Sequence, residues 1–325
     1  MIDLLPSLSG NATTEYGGPG KPLVITFGFY ADPNTAPANF EFQGRLKKLE
    51  LISGRELNKL FLRDPSMRWY LAGIDGISED VASTAAAIRD FVERAEATSV
   101  TVIGQSMGAY AAILFGTLIG ADKVISFGPL SCFDRRTWSL MNETRWVPPL
   151  DALEASGVDA AGYTDLPSFL ASHDGPLPDI DLIYGAWAGP GTNTAEVTAI
   201  DSAHAVRFVN TPAVRLLPVH HAQHAVVEHF RAGGVITEVL AHRMFGDSLL
   251  PTLQRITGDQ WVGWLLENVM RGSTFEQLLP VMGQQMPIDQ VQHRATQAKL
   301  ILDLSAFEEL PPAVTVGGER APAGA

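Results

Sequence analysis

The sequence of residues 99–108 is Ser99-Val100-Thr101-Val102-Ile103-Gly104-Gln105-Ser106-Met107-Gly108. Its β-branched first half predicts a buried strand, and the apolar residues 109–115 that follow predict a helix. Between them lies a Gly-x-Ser-x-Gly pattern, in which the glycines relieve crowding around a serine held in a sharp strand-to-helix turn. The hydroxyl of Ser106 would project above the sheet, and the first amides of the helix would point to the place where negative charge develops. The pattern alone is common, so the prediction depends on partners elsewhere in the chain.

The segments around this turn predict alternating strands and helices as far as residue 232. Further strands are predicted at residues 22–28, 58–64, 122–128, 181–185 and 214–219, and further helices at residues 44–53, 78–97, 201–208 and 225–232. This alternation predicts an α/β fold with a mostly parallel sheet and helices on both faces. Beyond residue 235 the apolar pattern is only helical, which predicts a helical C-terminal segment.

The domain organisation follows from these patterns. An α/β core is predicted at residues 21–245, with an insertion at residues 131–179 that contains two short helices. The helical C-terminal segment is predicted at residues 246–310. Residues 1–20 are predicted as an irregular N-terminal lead-in and residues 311–325 as a disordered tail, because glycine, proline and small polar residues are frequent there.

Charge and composition restrict the partners of the chain. The formal net charge is −13, from 36 acidic and 23 basic side chains, which argues against nucleic acid or an anionic membrane as the main partner. The single cysteine, Cys132, excludes an intramolecular disulfide and a cysteine-based zinc site. No stretch of about 18 apolar residues predicts a membrane span, and the first residues do not resemble a secretory signal. A cytoplasmic location is therefore the default expectation, and a homo-oligomer is left open.

A serine nucleophile needs a base, and a histidine-rich loop follows the last predicted strand. His220, His221 and His224 lie where a base could reach Ser106, at the carboxyl edge of the predicted sheet. We favour His224, because it lies five residues beyond the strand and immediately before a predicted helix. His221 and His220 remain alternatives for the base. A surface histidine cluster is another interpretation, and so is a metal site that uses the i, i+4 spacing of His220 and His224.

The acid that orients this base should follow the strand at residues 181–185. Two carboxylates, Glu196 and Asp201, lie between that strand and the last one. We favour Asp201 and keep Glu196 as the alternative. Asp201 also directly precedes a predicted helix, and aspartate is a favoured helix N-cap, so a purely structural role is a further interpretation.

Ser106, Asp201 and His224, in this chain order within alternating strands and helices, resemble the nucleophile, acid and base of the α/β-hydrolase superfamily. The resemblance covers roughly residues 20–245. It implies an oxyanion hole made by two backbone amides, for which the matching residues are Met107 and Phe29. The His-Gly-Gly-Gly motif of many lipases is absent, which leaves the second amide less well defined.

A segment at residues 63–76 follows a predicted strand at the same edge of the sheet. Tyr30, Arg68 and Trp69 are candidate substrate-binding residues for a polar or anionic substrate or for a sugar. The alternative is an ion pair between arginine and aspartate with aromatic packing under the loop. The insertion and the C-terminal helices are expected to form the wall or lid of an acyl pocket. Candidate lining residues are Trp138, Trp146 and Trp187.

The expected activity is that of a serine hydrolase that cleaves a carboxylic ester through an acyl-enzyme on Ser106. The substrate would be a small-molecule or glycan-linked acyl compound, and neither a metal nor an organic cofactor is required. An acyltransferase or thioesterase acting on a glycan or carrier would use the same residues, because water and another acceptor attack the same acyl-enzyme. A non-catalytic binding module built on the same fold is the third hypothesis.

Overall fold

The computed structural model describes residues 10–31, 39–186 and 194–309. The strands are β1 (Ala12–Glu15), β2 (Leu23–Phe27), β3 (Asn58–Leu62), β4 (Val100–Gln105), β5 (Lys123–Phe127), β6 (Asp179–Gly185) and β7 (Val214–Val219). The helices are α1 (Gln43–Ser53), α2 (Val81–Arg94), α3 (Met107–Leu118), α4 (Arg135–Met141), α5 (Val147–Ala155), α6 (Leu166–Ser172), α7 (Thr194–Val206), α8 (Val226–Ala232), α9 (Ile236–Phe245), α10 (Leu250–Thr257), α11 (Gln260–Met270), α12 (Phe275–Gly283) and α13 (Ile288–Glu309).

The strands form one sheet in the order β1-β3-β2-β4-β5-β6-β7. Strands β2 to β7 run parallel, and β1 pairs antiparallel with β3 at one edge. The predicted α/β fold with a mostly parallel sheet is therefore confirmed. Strand β4 lies between β2 and β5, so the residue that follows it emerges near the middle of the carboxyl edge, where sites form in such sheets.

Helices cover both faces of the sheet. Ile25 and Val102 belong to a hydrophobic core shared with α2, α3 and the insertion helices, whereas Val24 and Ile103 belong to a second core shared with α1 and with α8 to α13. Successive side chains of each parallel strand thus enter opposite cores, which explains why these strands are almost wholly apolar. Helix α3 is buried along nearly its whole length because it packs against the centre of the sheet.

The prediction of an irregular lead-in at residues 1–20 is wrong at residues 12–15, which form β1. Thr13 lies opposite Phe61 in the antiparallel pairing, and Glu15 forms an ion pair with the buried Lys59 at 2.7 Å. The strand has four residues among glycine and asparagine, so no periodic pattern marks it in the sequence. The strand is stabilised by its pairing with β3, since its own four residues carry no pattern that predicts a strand. Residues 1–9 lie outside the described residues.

The insertion at residues 131–179 contains α4, α5 and α6, of which α4 was not predicted. Asp134 caps α4 by accepting a hydrogen bond from the amide of Thr137. Helix α2 begins at Val81 rather than at residue 78, because Asp80 accepts from the amide of Ser83 and closes a capping box.

The predicted helical C-terminal segment is confirmed. Helices α10, α11 and α12 each pack against α13, and α13 in turn contacts α8 and β7. Leu304 and Phe307 of α13 are buried in the core beneath the sheet. Within the described residues, no helix is both long and apolar enough to cross a membrane. The predicted tail at residues 311–325 lies outside the described residues.

Candidate active site

Ser106 lies in a sharp turn between β4 and α3. Its backbone has φ 54° and ψ −116°, a strained conformation for a residue with a side chain. A Cβ atom at Gly104 would lie 2.0 Å from the carbonyl oxygen of Gly108, and a Cβ atom at Gly108 would lie 2.2 Å from that of Phe27. Contacts this short are not tolerated, so the turn requires glycine at both positions around the serine.

The side chains of Ser106, His224 and Asp201 lie within hydrogen-bonding distance of each other in series. His224 Nε2 is 3.0 Å from Ser106 Oγ, and His224 Nδ1 is 2.8 Å from Asp201 Oδ2. Ser106 is 6% exposed and Asp201 3%, so both groups are shielded from water. The carboxylate only accepts, so Nδ1 carries the ring proton and Nε2 is the acceptor for the Ser106 hydroxyl.

Two glycines leave room for the loop that carries His224 over the sheet edge. Gly185 ends β6, and a Cβ atom there would lie 2.2 Å from the carbonyl oxygen of Gln223. Gly128 follows β5 with φ 59°, and a Cβ atom there would lie 3.1 Å from the carbonyl oxygen of His224. The ends of β5 and β6 therefore shape the position of the histidine.

Asp201 lies inside α7 and not before a helix, so the alternative interpretation of Asp201 as a helix N-cap is wrong. The helix begins at Thr194 instead of residue 201, because residues 194–200 include two alanines and a glutamate and continue the helical pattern. Glu196, the alternative acid, belongs to the same helix, and its side chain lies outside the described residues.

His220 and His221 are held by a carboxylate from the C-terminal segment. Asp303, buried on α13, accepts hydrogen bonds from the amide of His220 at 2.9 Å and the amide of His221 at 3.4 Å. The ring of His221 lies 3.3 Å from the same carboxylate. Of the three histidines, His224 is the one whose ring contacts Ser106. No group of three or more side chains suited to metal binding occurs among the described residues.

The two amides proposed for an oxyanion hole lie at the ends of secondary-structure elements. Met107 is the first residue of α3, so its amide belongs to the helix N-terminus next to Ser106. Phe29 follows β2, one residue after Gly28, whose amide donates to the carbonyl oxygen of Leu62. Neither the Met107 nor the Phe29 amide is engaged in a backbone hydrogen bond within the described residues.

The three tryptophans predicted to line a pocket have different positions. Trp138 is 2% exposed and donates to the carbonyl oxygen of Cys132 at 2.8 Å, so it belongs to the core. Trp146 lies with its ring centroid 6.3 Å from that of His224. Trp187 lies outside the described residues.

Trp146 belongs to an aromatic cluster beside the histidine. Tyr30 stacks on Trp69 with centroids 5.7 Å apart, and both rings contact Trp146 edge to face. Phe133 closes the other side of Trp69 at 5.0 Å. Such offset and edge-to-face contacts hold large rings in fixed positions, so the cluster forms a rigid wall next to His224.

The loop that carries Arg68 and Trp69 is held by one buried carboxylate. Asp64 accepts hydrogen bonds from the amides of Ser66, Arg68 and Tyr70 at 2.8 to 3.0 Å. Trp69 and Tyr70 both have positive φ angles, which this carboxylate supports. Both rings are almost wholly buried, as the alternative of aromatic packing under the loop expects.

A groove of about 730 Å³ opens next to the serine turn. Phe29, Gln105 and Ala225 line it, and the last two are direct sequence neighbours of Ser106 and His224. Gln105 Oε1 is buried there and accepts no hydrogen bond within the described residues. Arg45 and Glu41 also line the groove, and burial raises the pKa of Glu41. The groove thus combines aromatic, acidic and basic groups.

Three residues that sequence reasoning missed lie behind Asp201. Arg145 Nη1 donates to Asp201 Oδ1 at 2.9 Å, and Glu143 binds the same guanidinium. His204 Nε2 lies 3.4 Å from Glu143 Oε2. The sequence carried no local signal for them, since Arg145 and Asp201 are 56 positions apart.

A sharp Gly-x-Ser-x-Gly turn at the end of a central parallel strand, within a sheet covered on both faces, is the arrangement of an α/β-hydrolase-like fold. The predicted likeness in fold to the α/β-hydrolase superfamily is confirmed at this level. No protein-family model matches the sequence, and no curated protein shows significant similarity to it.

Several solved structures are similar to the chain. The capsule O-acetyltransferase of Neisseria meningitidis serogroup A matches with a TM-score of 0.46 and 13% identity, over 71% of this chain and 93% of that one. An α/β hydrolase enzyme from the sediment metagenome of the Mar Chica lagoon matches with 0.43 and 18%, over 74% and 99%. S-formylglutathione hydrolase from Staphylococcus aureus matches with 0.44 and 15%, over 69% and 84%. At TM-scores below 0.5, none of these activities transfers to this chain.

Proposed function

We propose that the protein is a serine hydrolase that cleaves a carboxylic ester through an acyl-enzyme on Ser106. The proposal is carried by the two contacts of His224, 3.0 Å to Ser106 Oγ and 2.8 Å to Asp201 Oδ2. A serine hydroxyl is a weak nucleophile at neutral pH and needs a base within this distance, itself oriented by a third group. The strained turn of Ser106 supports the same role, because strain of this kind concentrates at active sites.

The proposed reaction has two halves. Ser106 Oγ attacks the acyl carbon while its proton passes to His224 Nε2, and the carbonyl oxygen becomes an oxyanion between the amides of Met107 and Phe29. The bond to the alcohol oxygen then breaks, and His224 returns the proton to the leaving alcohol. Water next gives a proton to His224 and attacks the acyl-enzyme, which releases the acid and restores Ser106. Asp201 keeps the imidazole in the required tautomer and stabilises its protonated form.

The substrate would lie between the groove and the aromatic cluster. The groove, lined by Phe29 and Gln105, has the size of a small-molecule site and offers polar groups to a small or glycan-linked acyl compound. Tyr30 and Arg68, which are partly exposed, would contribute a second wall, and the buried Trp69 would support it by stacking on Tyr30. A groove of mixed polarity supports a polar ester rather than a long acyl chain.

Labelling with a fluorophosphonate tests the nucleophile. We expect the wild type to form one covalent adduct, which peptide mass spectrometry places on Ser106, and Ser106→Ala to form none. Ser139→Ala is the matched control, because Ser139 is an exposed serine on α4 far along the chain from the turn, and it should label as the wild type does. An unlabelled wild type would support the non-catalytic binding module, and labelling that survives in Ser106→Ala would contradict the choice of serine.

A second experiment separates water from another acceptor. The wild type is supplied with p-nitrophenyl acetate, with and without a sugar alcohol, and the products are measured. A hydrolase releases acetate at the same rate as p-nitrophenol in both conditions. Transfer of the acetyl group to the sugar alcohol in large excess over the uncatalysed reaction would favour an acyltransferase using the same residues.

A further inference from the structure

Asp201 is held from two sides. Its Oδ2 atom faces His224, and its Oδ1 atom accepts a hydrogen bond from Arg145 Nη1 at 2.9 Å. Arg145 comes from the segment between α4 and α5, and its side chain is 17% exposed. A guanidinium bonded to one oxygen of a carboxylate leaves the other oxygen directed at the second partner.

Glu143 balances the charge of this arginine. It is 3% exposed, and both of its carboxylate oxygens lie 3.1 Å from Arg145 Nε. Burial would raise the pKa of Glu143, but hydrogen bonds from His204 and Arg145 lower it to about 2, so it is ionised at neutral pH. The guanidinium therefore bridges two buried carboxylates, those of Asp201 and Glu143.

His204 ends the chain of contacts as a neutral group. Its Nδ1 atom accepts from the amide of Ser131 at 2.9 Å, so the ring proton is on Nε2, which faces Glu143 at 3.4 Å. Burial lowers the pKa of His204, which keeps the ring uncharged. Since Asp201 and His204 are three positions apart on α7, the Glu143–Arg145 pair contacts one face of that helix at both places.

We propose that the Glu143–Arg145 pair positions Asp201 and sets the pH range in which Ser106 reacts. This inference rests on the proposed serine-hydrolase function. Within the described residues, the charged groups that reach His224 directly or through Asp201 are Asp201, Arg145 and Glu143, while His204 is neutral. Arg145 thus brings a positive charge and Glu143 a negative charge into the chain of contacts that ends at His224.

The charges of Arg145 and Glu143 predict opposite effects on the pH profile of labelling. The effect concerns the acidic limb, the part of the profile where the rate falls as the pH is lowered. The measured quantity is the rate constant of fluorophosphonate labelling from pH 5 to 9. Arg145→Met should move the midpoint of the acidic limb upward, and Glu143→Gln should move it downward, each by about half to one pH unit. In the double variant the midpoint should return towards that of the wild type. Loss of Arg145 should also lower the plateau rate by roughly 10- to 100-fold, because Asp201 is no longer held in place.

Arg135→Met is the matched control. Arg135 lies in the same insertion and pairs with two carboxylates, Asp151 and Glu154, but it is half exposed and contacts neither Asp201 nor His224 in the described residues. The change in net charge is the same as in Arg145→Met, so an unchanged profile shows that the effect depends on position. A shift of similar size in Arg135→Met would contradict the proposal.

Arg145→Lys keeps the test valid if Arg145→Met does not fold. Lysine retains the charge but lacks the forked guanidinium that bridges the carboxylates of Asp201 and Glu143. The plateau rate should therefore fall while the midpoint of the acidic limb is unchanged. The proposal is overturned if wild-type Ser106 is labelled but Glu143→Gln shifts the limb upward or not at all, or if Arg145→Lys keeps the wild-type plateau. If wild-type Ser106 is not labelled at any pH, the proposed function falls, and this inference falls with it.

Discussion

Gly128 allows a direct test of how the sheet edge positions His224. The residue follows β5 with φ 59°, and a Cβ atom there would lie 3.1 Å from the carbonyl oxygen of His224 and 3.5 Å from its Nδ1 atom. Alanine at this position therefore has two effects. The left-handed backbone costs about 1–2 kcal/mol in free energy of unfolding, and the short contact displaces His224 by a few tenths of an ångström.

The displacement should slow the reaction of Ser106. A misplacement of 1 Å costs about 100-fold in rate, so a few tenths of an ångström should cost about three- to tenfold. Gly120 provides a matched control, because it has φ 68° and its Cβ position meets nothing within 4 Å. Gly120→Ala carries the same backbone strain without the contact at the histidine.

Two measurements separate the effects. Urea denaturation should show that the free energy of unfolding is lower by about 1–2 kcal/mol in both Gly128→Ala and Gly120→Ala. Fluorophosphonate labelling below the unfolding transition should be slowed in Gly128→Ala and unchanged in Gly120→Ala. Equal labelling rates in the two variants would refute the reasoning, because stability would then change without any effect of the contact at His224.

Variants at other positions test the buried ion pairs, the acid and the groove. Asp181 is buried and pairs with three basic side chains, so Asp181→Ala should lower the free energy of unfolding by about 3–5 kcal/mol in urea denaturation. Hydrogen bonds from His204 and Arg145 outweigh the effect of burial, which raises the pKa of Glu143, and lower this pKa from 4.5 to about 2. The carboxylate therefore stabilises the fold above pH 4.5, and this contribution is lost as the pH falls towards 2. The stability advantage of the wild type over Glu143→Gln should therefore be smaller at pH 3 than at pH 5, again by urea denaturation. Asp201→Asn should slow fluorophosphonate labelling about 10³- to 10⁴-fold, whereas Glu196→Gln should label as the wild type does. Gly44→Trp, which narrows the groove, should raise KM for a p-nitrophenyl ester with little change in kcat, as steady-state kinetics would show.

The elements with strong periodic patterns could be predicted from the sequence. Strands β2 to β7 all lie within two residues of their predicted bounds, because each is an apolar run between turn residues. Strand β1 and helix α4 could not be predicted. The order of β1 comes from pairing with β3, and α4 is a seven-residue helix whose burial depends on Trp138 alone. Short elements that depend on distant partners carry little periodicity of their own.

The candidate site likewise contains some residues with a local signal in the sequence and some without. Ser106 has a local signal, the glycines on both sides, and His224 has its place after the last strand. Arg145 and Glu143 have no such signal, because Asp201 and His204, which they contact, lie more than 50 positions away along the chain. Nothing in the sequence distinguishes Arg145 from Arg135, which forms its ion pairs at the surface.

The choice between two acids depends on where α7 begins. If a helix started at residue 201, Glu196 would lie in a loop, and either carboxylate would be free to turn towards the histidine. In the observed helix Thr194–Val206, the two positions are five residues apart, which places them about 140° from each other around the axis. Asp201 and His204, three residues apart, lie only about 60° from each other and share the face that meets Arg145 and Glu143. Helix geometry therefore supports Asp201 over Glu196 as the acid, and it joins the acid to the ion pair behind it.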